Sequence, residues 1–163
     1  MERIMRGGAG ALTGLVLSMW FLSLPAQAEA ASLCNPADPN QVRLQISVSG
    51  MRSAEGNVQI TIYPDQPEHF LDGAYKLARR EFPVTLPVTH ACFAVAAPGY
   101  YAVALFHDAN NNHHFDTTMI GLPAEGYGFS NNPKLYLSLP RLSRTRFATR
   151  AGDNPVAIQM KYY

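Results

Sequence analysis

Val42-Arg43-Leu44-Gln45-Ile46-Ser47-Val48 and, a short gap later, Asn57-Val58-Gln59-Ile60-Thr61-Ile62-Tyr63 alternate apolar and polar residues. A period of two puts every second side chain on one face, so each run predicts a half-buried strand. The intervening Ser49-Gly50 to Glu55-Gly56 predicts a hairpin connection between them. Downstream, Tyr100 to His107 is almost continuously apolar, as a central strand with both faces covered would be. Weaker strand signals lie at Glu81–Val88, where Pro83 and Pro87 favour a sheet edge, and at Ala91–Ala96. Further signals lie at Lys134–Leu139, at Thr145–Thr149, and at Val156–Tyr162 after a predicted turn at Gly152-Asp153-Asn154-Pro155. Residues 64–80 break the rhythm and predict a short helical turn over a sheet edge. About seven short strands with little helix predict an all-β, antiparallel sandwich of immunoglobulin-like or transthyretin-like form. A small β-barrel is the second choice.

The N-terminus predicts a segment outside that fold. Arg3 and Arg6 precede a mostly apolar run from Ala9 to Leu24, and Ala26-Gln27-Ala28 supplies small residues. This is the layout of a secretory signal peptide, residues 1–28, leaving 29–163 as a single β domain. The run is interrupted by Gly14, Ser18 and Ser23 and falls short of the ~20 residues of a spanning helix. No transmembrane segment is expected in the mature chain, and a periplasmic or secreted location follows. Without Glu2, Arg3 and Arg6, 11 basic and 11 acidic residues remain. That balance gives no argument for nucleic acid or for an anionic membrane. In an oxidising compartment Cys34 and Cys92 are expected to pair. Closing that loop is worth about 4 kcal/mol by chain entropy.

Residues 108–133 predict a long loop that is ordered, since aromatics and glycines are interleaved without a charge run. It begins Asp108-Ala109-Asn110-Asn111-Asn112-His113-His114-Phe115-Asp116. Oxygen-bearing side chains at alternate positions suit a hard cation, and Ca²⁺ takes six to eight oxygens. Asp108, Asn110 and Asn112 match the first, third and fifth positions of an EF-hand loop. The His114 carbonyl and Asp116 match the seventh and ninth. Glu125 is the candidate to complete the shell. His113 stands where a glycine makes the sharp turn, Met119 stands where a bidentate glutamate closes the site, and a strand precedes the loop. This is therefore a calcium loop on a β scaffold, an Asx-rich turn without metal, or, through His107, His113 and His114, a site for a softer metal. His107 continues a strand face and reads as a satisfied strand-end histidine.

Other constellations are less specific. Asp116 and Glu125 form a carboxylate pair of the kind a carbohydrate-active hydrolase uses. Ser130 lacks a nucleophile-elbow context, so no catalytic residue is assigned and a non-enzymatic role is favoured. Tyr127, Phe129, Ser130 and Asn131 form a possible binding loop, with the two aromatics either exposed for stacking or packed as plugs. Arg141, Arg144, Arg146 and Arg150 form a basic cluster that would suit an envelope component contacting phosphate or anionic lipid.

The block from Pro98-Gly99-Tyr100 through Phe106-His107-Asp108-x-Asn110-x-Asn112 to Asp116, followed by Gly121-x-Pro123-x-Glu125-Gly126-Tyr127-Gly128-Phe129-Ser130-Asn131-Asn132, resembles the bacterial exported domain of unknown function 2141 family. The resemblance implies a secreted or periplasmic β domain similar in outline to transthyretin-like and immunoglobulin-like modules, with no established activity. His113 departs from the glycine that members commonly carry there.

Overall fold

The computed structural model describes Cys34, Asp38 and residues 40–163 apart from Tyr136 and Leu137. The predicted signal peptide lies outside the described residues. Among the described residues eight strands form: β1 (Val42–Ser49), β2 (Asn57–Pro64), β3 (Ala78–Pro83), β4 (Val88–Val95), β5 (Tyr100–Asp108), β6 (Gly126–Phe129), β7 (Phe147–Ala148) and β8 (Gly152–Gln159). One helical turn, α1 (Leu142–Thr145), precedes β7, and two 3-10 turns occupy Pro67–His69 and Gly73–Tyr75. The strands make a two-sheet sandwich with orders β4-β1-β8 and β3-β2-β5-β6, and β7 also pairs with β5. The all-β sandwich is thus the fold, and its two separate sheets exclude the closed barrel.

The apolar members of each alternating run meet between the sheets. Leu44, Ile46 and Val48 of β1 face the core with Val58, Ile60 and Ile62 of β2, Phe93 of β4, Val103 and Leu105 of β5, and Ile158 of β8. Each such side chain contributes about 1.5–3 kcal/mol when fully buried.

Three expectations are corrected. β1 and β2 do not form a hairpin. β1 pairs with β4 and β8, and β2 pairs with β3 and β5. Residues 50–56 instead carry the chain from one sheet to the other, helped by positive φ at Gly50 (82°) and Gly56 (67°). Two strands with matching apolar faces bury them equally well face to face or side by side, and here they meet across the core. Second, the sandwich is not wholly antiparallel, because β8 runs parallel to β1 with Ile46 opposite Val156 and Val48 opposite Ile158. Third, Gly152 to Pro155 is not a turn but the start of β8. Pro155 is tolerated there because β8 is an edge strand, where a missing N–H breaks no ladder.

The predicted edge strand near residue 81 is β3, and the apolar Tyr100–His107 run is β5, flanked on both sides. The weak Thr145–Thr149 signal is β7. Among the described residues, no strand forms at 134–139. The predicted long loop contains β6, so Tyr127 and Phe129 belong to a sheet. Cys34 and Cys92 form a disulfide with Cα atoms 5.7 Å apart, tying the N-terminal arm to β4.

Candidate cation loop and the cleft beside it

Strand register explains why two carboxylates share one spot. β5 and β6 pair antiparallel with His107 opposite Gly126, so the next residues outward are Asp108 and Glu125. Both are buried, at 0% and 9% exposure, at the base of the loop they delimit. Asp108 accepts the amide of Asn112 at Oδ1 (3.0 Å) and that of His113 at Oδ2 (2.8 Å). Asn112 N–H is shared with Asn110 Oδ1 (3.1 Å), and Asn112 Oδ1 accepts the His114 amide (2.9 Å). Asn110 and Asn112 each donate Nδ2 to the Asp116 carboxylate at 2.9 Å. The Asp116 amide donates to Glu125 Oε2 at 3.0 Å.

These contacts link Asp108, Asn110, Asn112, Asp116 and Glu125 through hydrogen bonds within one loop. His114 joins through its amide, and its side chain is exposed. The Asx-type hydrogen bonds organise the loop without an ion and occupy the oxygens of Asp108, Asn110 and Asn112 once each. They do not account for Glu125. Its Oε1 is buried with no hydrogen-bond partner. Burial raises its pKa, and the carboxylates of Asp116 and Asp108 raise it further, while the Asp116 and Ala109 amides act the other way. The groups acting on Glu125 include no lysine or arginine.

His113 takes the left-handed conformation (φ 64°) despite its side chain, as does Asn111 (φ 58°). The departure from glycine therefore leaves the turn intact, and the histidine gains a partner. Its Nδ1 lies 2.8 Å from Glu81 Oε1, which raises its pKa, and 4.0 Å from Asp108 Oδ2. Glu81, Asp108 and His113 each bring one ligand atom within 4.8 Å of the others. The sequence reading missed Glu81. Its only signal was an outward position on an edge strand, which nothing in the sequence links to a loop over 25 residues away.

His107 is the satisfied histidine its position suggests. At 2% exposure, Nε2 meets the Glu55 carbonyl and Nδ1 meets the Tyr162 hydroxyl, both at 2.7 Å. A carbonyl only accepts, so the geometry fits a proton on Nε2 and a hydroxyl donating to Nδ1. Ser130 is also structural, because it is fully buried, donates to Thr145 O (2.6 Å) and accepts the Val103 amide (2.9 Å). Asn131 donates to Arg146 O at 2.8 Å. These two leave the predicted binding loop and act as struts. Arg146 of the basic cluster pairs with Asp65 at 2.9 Å, whereas Arg141, Arg144 and Arg150 are exposed.

The Gly126-Tyr127-Gly128-Phe129 run has a specific cause. The glycines point into the core, where a Cβ on Gly126 would lie 2.4 Å from the Tyr162 ring and one on Gly128 would lie 2.7 Å from Ile158. Gly126→Ala is expected to cost about 1–3 kcal/mol by overpacking. It should also displace Tyr162 from His107, seen as a shift of the His107 ring resonances; unchanged resonances would contradict this packing. Tyr127 and Phe129 point the other way and are packed rather than exposed for stacking, at 9% and 6% exposure. They floor a cleft of about 510 Å³ on the outer face of the β3-β2-β5-β6 sheet, with Thr61, Phe106 and Leu122 among its other walls. Burial, then the neighbouring Tyr163, pushes the Tyr127 hydroxyl up to about 12. Neither Asp116 nor Glu125 lines this cleft.

The fold and loop define an all-β sandwich carrying an acidic, amide-rich loop at the end of its central strand. Residues 46–157 match the family described as "Uncharacterized protein conserved in bacteria (DUF2141)". The chain belongs to that family. No curated protein and no solved structure gives a significant match.

Proposed function

We propose that the protein is an exported, non-enzymatic binding or structural module whose 108–125 loop is stabilised by calcium. The supporting observation is the buried, unpartnered Glu125 Oε1 beside the carboxylates of Asp108 and Asp116. A hard divalent cation gives that oxygen a partner and relieves the repulsion among three acids. Amide oxygens of Asn110 and Asn112 and the His114 carbonyl extend the oxygen set. The Asx hydrogen bonds are compatible with it, since a carboxylate or amide oxygen that accepts one N–H keeps a second lone pair. The Cys34–Cys92 disulfide and the N-terminal sequence support a periplasmic or secreted setting. Among the described residues, no helix is long and apolar enough to cross a membrane.

Thermal unfolding in calcium and in chelator tests the reading. Calcium at 100 times its dissociation constant should add about 2.7 kcal/mol, a shift on the order of 10 °C. Glu125→Gln keeps an acceptor for the Asp116 amide and removes the charge. Glu125 has a raised pKa, so its favourable contribution is present below the ordinary glutamate value and is lost as pH rises through the raised one. At neutral pH, ion-free Glu125→Gln should therefore match or exceed the ion-free wild type, and it should lose the calcium increment. A wild type that melts alike in calcium and chelator defeats the proposal. Stabilisation by zinc alone would transfer the site to Glu81, Asp108 and His113.

A further inference from the structure

We propose that the cleft on the outer face of the β3-β2-β5-β6 sheet binds an amphiphile with a carboxylate head and an acyl body. The outer face of a sandwich sheet is ordinarily wet and polar. Here Thr61, Tyr63, Tyr127 and Phe129 lie on that face and are 3–9% exposed. The described residues of the covering segments do not close onto them. They leave about 510 Å³, inside the about 300–1,000 Å³ range of small-molecule sites. Phe115 (40% exposed), Leu122 (38%) and Leu139 (66%) line the same space and remain partly in water. Large apolar side chains gathered around a concave apolar floor suit a ligand that removes them from solvent.

Charge identifies the head group. Arg79 is the only charged side chain among the described lining residues. Thr61 Oγ1 accepts from its Nε at 3.0 Å, and the Tyr63 hydroxyl also meets its guanidinium. These contacts orient the guanidinium and leave donors of its five-N–H fork for a carboxylate, which such a fork reads in bidentate fashion. A saccharide fits less well. Its hydroxyls would lie against the apolar side chains of Phe106, Phe115 and Leu122.

None of the residues proposed to hold calcium lines the cleft, although Phe115 and Leu122 of the same 108–125 loop do. Sodium dodecanoate, below its micelle concentration and in calcium-free buffer, is titrated calorimetrically into the protein, with dodecanol and dodecyltrimethylammonium as comparisons. Saturable one-to-one binding of dodecanoate is expected, with the cation bound least. Arg79→Gln should weaken dodecanoate about 10–100-fold, the size of a charged hydrogen-bonding contact, and leave dodecanol unchanged. Ala104→Phe fills the floor from the outer face and should abolish binding of both. Leu122→Glu, on the half-exposed rim, should do the same without touching the sheet, so a folding defect in the first variant leaves the test intact. Absent saturable dodecanoate binding, equal affinity for acid, alcohol and cation, or binding that survives Leu122→Glu would each overturn the proposal.

Discussion

Gly56→Ala is expected to cost about 3–4 kcal/mol, the largest effect of alanine at any described glycine. Two terms add. Gly56 has a φ of 67°, where a side chain carries a penalty of about 1 kcal/mol. A Cβ there would also lie 2.0 Å from the Asp108 carbonyl oxygen and 2.7 Å from Ala109 Cα. Both obstacles are backbone and cannot rotate aside, so the crossover and the start of the cation loop would have to separate. Gly121→Ala supplies the comparison, because its φ is 79° and nothing lies within 4 Å of the added carbon. It should cost about 1 kcal/mol. Denaturant midpoints for the two variants isolate the steric part, and equal losses would show that the close approach is absent.

Asp108→Ala should cost about 3 kcal/mol even in chelator, because two backbone amides lose a charged acceptor at once. Asp108→Asn keeps one acceptor oxygen and should lose about half as much. Neither variant should gain stability from calcium. Hydrogen exchange at the Asn112 and His113 amides reads the same contact locally. Protection of those amides that survives Asp108→Ala would show that the carboxylate does not organise the turn. The contrast with Glu125→Gln is informative, since one acid holds the loop together and the other is tolerated at an energetic cost.

Alternation in Val42–Val48 and Asn57–Tyr63 correctly identified two strands and their buried faces, because facing is a local property with period two. It misassigned their neighbours. Pairing depends on which edges meet after the chain has folded, and β1 with β8 is a contact between residues more than a hundred positions apart. Pro155 concealed the start of β8 for a related reason, since its acceptability rests on edge placement. Asp108, Asn110, Asn112 and Asp116 were legible as one local set because they lie within nine consecutive residues, and hydrogen bonds link them in the fold. Glu81 and Arg79 were not legible, since each acquires its role from register with a distant strand. Gly126 and Gly128 were conspicuous in sequence, yet the space they leave belongs to Tyr162 and Ile158 across the core.

The parallel union of β1 with β8 has a temporal meaning. More than a hundred residues separate β1 from β8, so the middle strand of the smaller sheet emerges from the ribosome well before that neighbour. Until then one long edge of β1, with its bare amides and carbonyls, stays open to any other extended chain. Such nonlocal closure is slow and leaves incomplete chains prone to association. A chain in which β8 has yet to dock would therefore offer that edge to its neighbours.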